Sequence, residues 1–218
     1  MSKPLIGVLA VQGAFIEHEH ILSALGAEVV ELRQAADVTN DLDGIVLPGG
    51  ESSVQGKLVR ELGMFEPLRA LINQDVPVLA TCAGMILLAS EVTQGIGSGA
   101  NSSTGNATDN SSFDAEPAAN DPAAPPYFAT IPMSVKRNAY GRQLGSFATA
   151  GNFGDFENVQ MTFIRGPYVE SVGDDVQVLA TVNDNIVAVR YKNQLAMSFH
   201  PELNSDTRIH EMFLSFVN

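Results

Sequence analysis

The sequence contains one cysteine, Cys82, no tryptophan and few basic residues. A single cysteine excludes an intramolecular disulfide framework and a cysteine-rich metal site, and it is typical of a reducing compartment. With 12 Lys and Arg against 25 Asp and Glu, the net charge of −13 argues against a nucleic-acid backbone or an anionic membrane surface as the main partner. No apolar run approaches the roughly 18 residues of a membrane-spanning helix. We therefore expect a soluble, cytoplasmic protein that binds neither nucleic acid nor membranes.

Short apolar runs and amphipathic segments alternate along the first 90 residues. The runs at 5–11, 28–32, 44–47 and 77–80 are rich in β-branched residues and predict buried strands. The segments between them place apolar side chains at helical spacing, for example over 54–62 and 65–72, and another helix is expected from Gly84 onward. Such alternation predicts a largely parallel sheet covered on both faces, with ligands at the carboxyl ends of its strands.

The pattern is interrupted between residues 95 and 126, where Gly, Ser, Asn, Ala and Pro dominate and every charged residue is acidic. This composition cannot bury enough surface to offset the entropy of ordering, so we expect an insert in the form of a loosely ordered surface loop. Its glycosylation-like triplets at Asn101, Asn106 and Asn110 are expected from chance in such a tract. Strand-like runs then resume at 128–135, 160–164, 176–182, 186–191 and 194–199. A final helix is predicted over 205–217, with Ile209, Met212, Phe213 and Phe216 on its apolar face. We expect one α/β domain over residues 1–218.

Cys82 lies in the stretch "VPVLATCAGMILLAS", between a predicted strand and a predicted helix. This is the setting of a nucleophile elbow, in which a sharp turn exposes the reactive side chain above the sheet. The small neighbours Ala80, Ala83 and Gly84 allow the backbone to crowd there. Buried cysteines are also common core residues, so the elbow alone leaves both packing and catalysis open.

Two further segments carry groups that a cysteine nucleophile needs. In "SFHPEL", His200 and Glu202 are two residues apart at the end of a predicted strand, where alternation would point both side chains the same way. The carboxylate could then orient the imidazole as a general base. In "LPGGESS", Gly49 and Gly50 could expose backbone N–H groups for an oxyanion, although plain turns use the same residues. A core or capping role for His200 is the alternative.

His18 and His20 in "EHEH" suggest a metal site at first sight. On a helix, residues two apart face different directions. We therefore expect a solvated first helical turn, no metal and no cofactor.

Together, the segments "VLAVQGAFIEH", "LPGGESS", "ATCAGM", "VKRNAYGRQ", "FIRGP" and "SFHPEL" resemble the glutaminase subunits of pyridoxal 5′-phosphate synthase (the PdxT/SNO family). These belong to the class I, or triad, glutamine amidotransferases. The resemblance implies a single-domain, flavodoxin-like three-layer α/β fold with a mixed, largely parallel central sheet. It covers nearly the whole chain except residues 95–126.

The resemblance also implies roles at individual positions. Cys82 would be the nucleophile, His200 the general base and later acid, and Glu202 its orienting carboxylate, while the backbone N–H groups of Gly50 and Ala83 would form the oxyanion hole. The residues that would hold L-glutamine are Gly50, Glu51, Ser52, Arg137, Ile164 and Arg165. For the two arginines, a solvated surface position is the alternative.

The implied function is hydrolysis of L-glutamine to glutamate and ammonia, through a glutamyl thioester. The ammonia would pass to a synthase subunit of the PdxS type within a large hetero-oligomer, for vitamin B6 synthesis. One alternative is the glutaminase subunit of another amidotransferase, serving imidazole or purine synthesis. A second alternative is a noncatalytic interaction subunit that keeps the fold.

Overall fold

The computed structural model describes residues 2–94, 127–137 and 146–217. The insert 95–126 with its three triplets, and residues 138–143 of the "VKRNAYGRQ" segment, lie outside the described residues. In the described ranges the strands are β1 (Leu5–Leu9), β2 (Glu28–Leu32), β3 (Gly44–Leu47), β4 (Val78–Thr81), β5 (Ala89–Gln94), β6 (Ile131–Arg137), β7 (Ser146–Phe153), β8 (Phe156–Ile164), β9 (Tyr168–Val172), β10 (Gln177–Val182), β11 (Asn185–Tyr191) and β12 (Gln194–Met197). The helices are α1 (Phe15–Ala24), α2 (Ser52–Glu61), α3 (Phe65–Asn73), α4 (Ala83–Leu88) and α5 (Arg208–Ser215), with 3-10 turns at Ala35–Asp37 and Pro201–Leu203.

Ten strands form one mixed sheet in the order β2-β1-β3-β4-β12-β11-β9-β6-β5, with β10 paired to β11. The neighbours from β2 to β12 run parallel, whereas β11 pairs antiparallel with β12, β10 and β9. β7 and β8 form a separate antiparallel pair. Because β1, β3, β4 and β12 are adjacent and parallel, their carboxyl ends all lie at the same edge of the sheet.

Two apolar clusters lie on opposite faces of this sheet. Alternate residues of β3 divide between them, with Ile45 and Leu47 in one cluster and Val46 in the other, as the two-residue repeat of a strand requires. α2 and α3 contribute to the first cluster, and α1, α5 and β8 contribute to the second. The central strands are buried on both faces, which is why their sequences are continuous apolar runs. The predicted three-layer α/β fold is confirmed.

Three strands were not predicted, and two helices are shorter than expected. The helix after the elbow ends at Leu88, because Ala89 begins β5, which pairs with β6 from Ala89 opposite Ile131. β7 and β9 were missed because most of their residues are partly or fully exposed, so they lack a strong apolar signal. α5 covers 208–215 rather than 205–217, although Ile209 and Phe213 of its predicted apolar face are buried. Among the described residues, no helix is long and apolar enough to cross a bilayer.

Candidate active site

Cys82 occupies a strained turn between β4 and α4. Its φ of 47° and ψ of −100° lie in a region that residues with a side chain rarely adopt, at a cost of about 1–3 kcal/mol. The turn is held by a 2.7 Å hydrogen bond from the Cys82 N–H to the Met197 carbonyl of β12. Gly84 lets α4 approach β3, since a Cβ there would overlap the carbonyl oxygen of Leu47. The predicted elbow is therefore present, and it places Cys82 above the carboxyl edge of the sheet.

His200 and Glu202 are paired, but not for the reason that the sequence suggested. β12 ends at Met197, and His200 is the N-cap of the 3-10 turn Pro201–Leu203, so the expected alternation along a strand is wrong. The turn nevertheless brings His200 Nδ1 to 2.6 Å from Glu202 Oε1. Since a carboxylate only accepts, Nδ1 carries the proton, and Nε2 is left for the thiol. The His200 N–H donates to the Thr162 carbonyl at 2.8 Å, which fixes the backbone.

The environment of His200 favours its protonated form. Burial is the largest single effect and lowers the pKa, but hydrogen bonds to Cys82 and Glu202 and the charges of both groups raise the pKa of His200 to about 10. The Glu202 side chain is fully buried, so little solvent weakens its attraction to the imidazolium. At neutral pH the ring is therefore charged and can later give its proton to a leaving group.

The loop after β3 is locked by the loop after β1. The Glu51 N–H donates to Gln12 Oε1 at 2.8 Å, and Gln55 Nε2 donates to the carbonyls of Gln12 at 2.8 Å and Pro48 at 3.2 Å. The Ala14 N–H donates to the Gly49 carbonyl at 3.1 Å. These bonds orient the peptide units around Gly50, whose N–H was predicted to bind an oxyanion. Ala83 supplies the first backbone N–H group of α4, which has no partner within the helix.

Gly13 allows these two loops to meet. Its φ is +104°, and a Cβ at this position would overlap the Gly49 carbonyl oxygen. Gln12, Gly13 and Gln55 were not among the predicted site residues. The quoted segment "QGAF" contained the first two, but only the packed loops show what they do.

A cavity of about 280 Å³ opens beside Cys82, a size suited to one small molecule. All predicted substrate contacts line it, namely Gly50, Glu51, Ser52, Arg137, Ile164 and Arg165. Gln12, Ile86 and Pro167 complete the lining. The structure therefore brings together residues from five separate segments of the chain.

Groups of both charges and a hydroxyl line the cavity. Arg137 Nη2 lies 2.8 Å from Glu51 Oε1, and the Arg137 side chain is only 17% exposed, so this arginine is not a solvated surface residue. Ser52 is buried, and its Oγ has no hydrogen-bond partner among the described residues. Arg165 adopts a φ of 46°, and the preceding Ile164 carbonyl lies 4.0 Å from Cys82 Sγ. The site thus offers an anion, a guanidinium and a free hydroxyl close to the thiol.

The expectation of a solvated first turn in α1 is wrong for His18, although His20 is exposed. His18 is completely buried beneath the carboxyl edge of the sheet. Its Nδ1 is 3.0 Å from His210 Nε2, and its Nε2 is 3.3 Å from Thr81 Oγ1. The helical periodicity that separated His18 from His20 was correct, but it also turned His18 toward the core. In the described part of the chain, no three His, Cys, Asp or Glu side chains are grouped as metal ligands.

Known proteins resemble this chain over nearly its whole length. The model of the SNO glutamine amidotransferase family matches residues 8–99 and 123–218. The pyridoxal 5′-phosphate synthase subunit PdxT of Desulfitobacterium hafniense (strain DSM 10664 / DCB-2) is 58% identical over 213 residues, covering 98% of this chain and 93% of the relative. The subunit of the same name from Methanocorpusculum labreanum is 45% identical, covering 97% of both chains.

A solved glutamine amidotransferase structure superimposes with a TM-score of 0.79 at 34% sequence identity, covering 97% of this chain and 98% of the other. The fold comparison and the sequence comparisons therefore agree. The elbow, the paired His200 and Glu202, and the adjoining cavity occur in a chain that belongs to the SNO glutamine amidotransferase family.

Proposed function

We propose that this chain is the glutaminase subunit of a pyridoxal 5′-phosphate synthase and hydrolyses L-glutamine to glutamate and ammonia. The observation that carries the proposal is Cys82 on a strained elbow, hydrogen-bonded to a His200 that Glu202 holds in its protonated form. The name of the relatives at 58% and 45% identity supports the choice of pathway.

In the first half of the reaction, the Cys82 thiolate attacks the side-chain amide carbon of glutamine. The carbonyl π electrons move to oxygen, and the N–H groups of Gly50 and Ala83 stabilise this oxyanion. When the intermediate collapses, the C–N bond breaks and the leaving nitrogen takes the proton of His200. Ammonia departs, leaving a glutamyl thioester on Cys82 and a neutral imidazole.

In the second half, the neutral His200 removes a proton from water, and the resulting hydroxide adds to the thioester carbonyl. The C–S bond then breaks, which restores the thiolate beside the imidazolium. The glutamic acid side chain loses its proton to solvent and leaves as glutamate. Glu202 stabilises the charged ring in both halves and fixes the Nδ1–H tautomer.

The cavity supplies the binding groups for the amino-acid end of glutamine. Glu51 would accept hydrogen bonds from the α-ammonium group, and Arg137 would donate to the α-carboxylate. These two side chains lie 2.8 Å apart, so together they would present one charge of each sign to the substrate zwitterion. Ser52 Oγ, Ile164 and Arg165 complete the contacts.

Ammonia released into open solvent would be lost by protonation. The site therefore requires a receiving protein in direct contact with it. We propose that the receiver is a PdxS-type synthase subunit in a large hetero-oligomer, working in the cytoplasm. We also propose that residues 1–218 form one domain and that 95–126 are an insert. The family model supports this, since its two matched ranges leave out residues 100–122.

Measuring glutamate and ammonia from L-glutamine, with and without the synthase subunit, tests the function. We expect both products in equal amounts in the presence of the synthase, and none with Cys82→Ala. Absence of turnover with the correct synthase, or unchanged turnover in Cys82→Ala, would exclude the mechanism. Stimulation by a synthase of imidazole or purine synthesis instead would assign the chain to a different amidotransferase.

A further inference from the structure

A second buried group of polar side chains lies behind the His200–Glu202 pair. Glu202 uses Oε1 to accept from His200, and its other oxygen, Oε2, makes no hydrogen bond of standard geometry among the described residues. His18 Nε2 lies 3.4 Å from this Oε2, and both side chains are 0% exposed. His210, also fully buried, lies 3.0 Å from the other nitrogen of His18.

His18 Nε2 also lies 3.3 Å from Thr81 Oγ1, a hydroxyl that can donate or accept. An ionised Glu202 has no proton to donate, so His18 stabilises Oε2 only when it carries its proton on Nε2, and Thr81 Oγ1 can then share that proton as a second acceptor. His18 Nδ1 is then an acceptor, and His210 Nε2–H donates to it. This leaves His210 Nδ1 as a bare acceptor, which agrees with its lack of a partner among the described residues. An unpaired buried acceptor is more readily tolerated than an unpaired N–H.

We propose that His18 and His210 are positioning residues that extend the Cys82–His200–Glu202 triad behind its carboxylate. His210 would donate to His18, and both His18 and His200 would donate to Glu202. The Nε2 atom of His200 would face the Cys82 thiol. Neither His18 nor His210 lines the cavity, so neither touches glutamine. This inference rests on the proposed function, since it assigns a role within the same site.

The ionisation of the two histidines fits this arrangement. Burial is the main cause that lowers the pKa of His18 well below its usual value, and repulsion from the protonated forms of His210 and His200 acts in the same direction. Burial alone lowers the pKa of His210 to about 4. Both rings are therefore neutral at pH 7, and each has a single N–H to place. The titratable groups that act on the pair from the segment after β12 are Glu202, 3.4 Å from His18 Nε2, and His200.

Loss of the His18 donor has a defined consequence. Glu202 Oε2 would remain in a fully buried place without a donor, and leaving a buried charged acceptor unpaired weakens the ionised form of the pair. A less stable carboxylate holds the imidazolium less well, and the imidazolium in turn stabilises the thiolate less. Catalysis should therefore fail at a higher pH than in the unmodified chain.

The test compares His18→Leu, which removes the donor, with His18→Gln, whose Nε2 can still donate to Glu202. With the synthase subunit present, we expect kcat of His18→Leu to fall about 10- to 100-fold while KM stays within about twofold. The acid limb of the rate profile should move up by about one pH unit. His18→Gln should recover most of the rate, and His20→Gln, on the same helix, should behave as the unmodified chain.

Alkylation of Cys82 by iodoacetamide provides a readout that needs neither glutamine nor the partner. Cys82 is the only cysteine, so the pH dependence of the alkylation rate reports its thiolate directly. We expect the half-maximal rate at higher pH in His18→Leu and in His210→Leu. Because this assay does not depend on glutaminase activity, absence of turnover in the unmodified chain would count against the proposed function alone.

Two results would overturn the inference. One is a folded His18→Leu protein whose rate profile and alkylation profile are both unchanged. The other is nitrogen NMR of the unmodified chain showing His18 protonated on Nδ1 rather than Nε2, a result that needs no variant to fold. Nε2 protonation of both His18 and His210 is the expected spectrum.

Discussion

Gly49 and His200 lie so close together that a methyl group on the glycine would overlap the imidazole, with its Cβ 2.9 Å from Nδ1. The loop after β3 therefore forms one wall of the space in which the imidazole sits, and Glu202 Oε1 holds Nδ1 of the same ring at 2.6 Å. This contact couples the predicted oxyanion loop to the predicted base.

Gly49→Ala should consequently displace His200 from Cys82. We expect kcat to fall about 100-fold, since a displacement near 1 Å of a catalytic group has this effect, while glutamine binding changes little. Steady-state kinetics with the synthase subunit would measure both. Gly151→Ala is the matched control, because its Cβ would meet Met161 only at 3.6 Å on the β7–β8 hairpin. Equal activity of the two variants would contradict the coupling.

Glu202→Gln should keep the shape of the triad and remove its charge. The charge and hydrogen bond of Glu202 help to raise the pKa of His200 to about 10, so this pKa should fall in the variant. The alkaline limb of the rate profile would then move to lower pH, and kcat would drop about 10²- to 10⁴-fold. Glu61→Gln, an exposed carboxylate paired with Lys57, serves as the control. An alkaline limb that stays in place would contradict the role of Glu202.

Arg137→Gln should weaken glutamine binding more than catalysis. A hydrogen bond to a charged group contributes about 1.5–3 kcal/mol, so KM should rise about 10- to 100-fold with a smaller change in kcat. Lys136→Gln is the neighbouring control, because Lys136 pairs with Glu170 at 3.2 Å and does not line the cavity. If both variants have the KM of the unmodified chain, Arg137 does not bind the substrate.

The parallel half of the fold was predictable because its strands are buried on both faces. β3 was predicted at its observed bounds, 44–47, because all four of its residues are buried and the run ends at Pro48. β7 and β9 gave no comparable signal, because most of their residues are partly or fully exposed. Local sequence patterns reflect burial, and largely exposed strands leave only a weak pattern, even where the partner strand is the next one along the chain, as for β7 and β8.

The candidate site was likewise predictable only in part. Cys82, His200 and Glu202 could be predicted because their chemistry and spacing are distinctive, and the predicted contact residues all line one cavity. His18 and His210 are 192 residues apart, and a lone histidine on an amphipathic helix is uninformative. Only the packing of α1 and α5 against the end of β4 places them together. Gln12 and Gly13 were missed for a similar reason, since their importance lies in a contact between two loops.

The buried His210 predicts a loss of stability in acid. Its pKa is lowered by burial to about 4, against about 6.5 in the unfolded chain. Between these values only the unfolded chain binds the proton, so the free energy of unfolding decreases as pH falls from 6.5 to 4, by about 3 kcal/mol from this group. Urea unfolding across this range should show a smaller decrease for His210→Gln. The exposed His20→Gln variant should keep the full decrease, and identical curves for all three would contradict the prediction.

The insert should be replaceable, but not simply removable. β5 and β6 run parallel, with Ala89 opposite Ile131 and Gln94 opposite Arg137, so the chain between them must return along the full length of the pair. A parallel connection needs about a dozen residues, and the first residues after the insert are held in place, since the Phe128 N–H donates to the Leu87 carbonyl.

Replacing 95–126 by about ten Gly and Ser residues should therefore preserve the fold and partner-stimulated glutaminase activity, measured by circular dichroism and ammonia release. Joining residue 94 directly to residue 127 should instead disrupt the β5–β6 pair and lower the melting temperature. A large loss of turnover in the linker variant, with its fold intact, would show that the insert takes part in catalysis or docking.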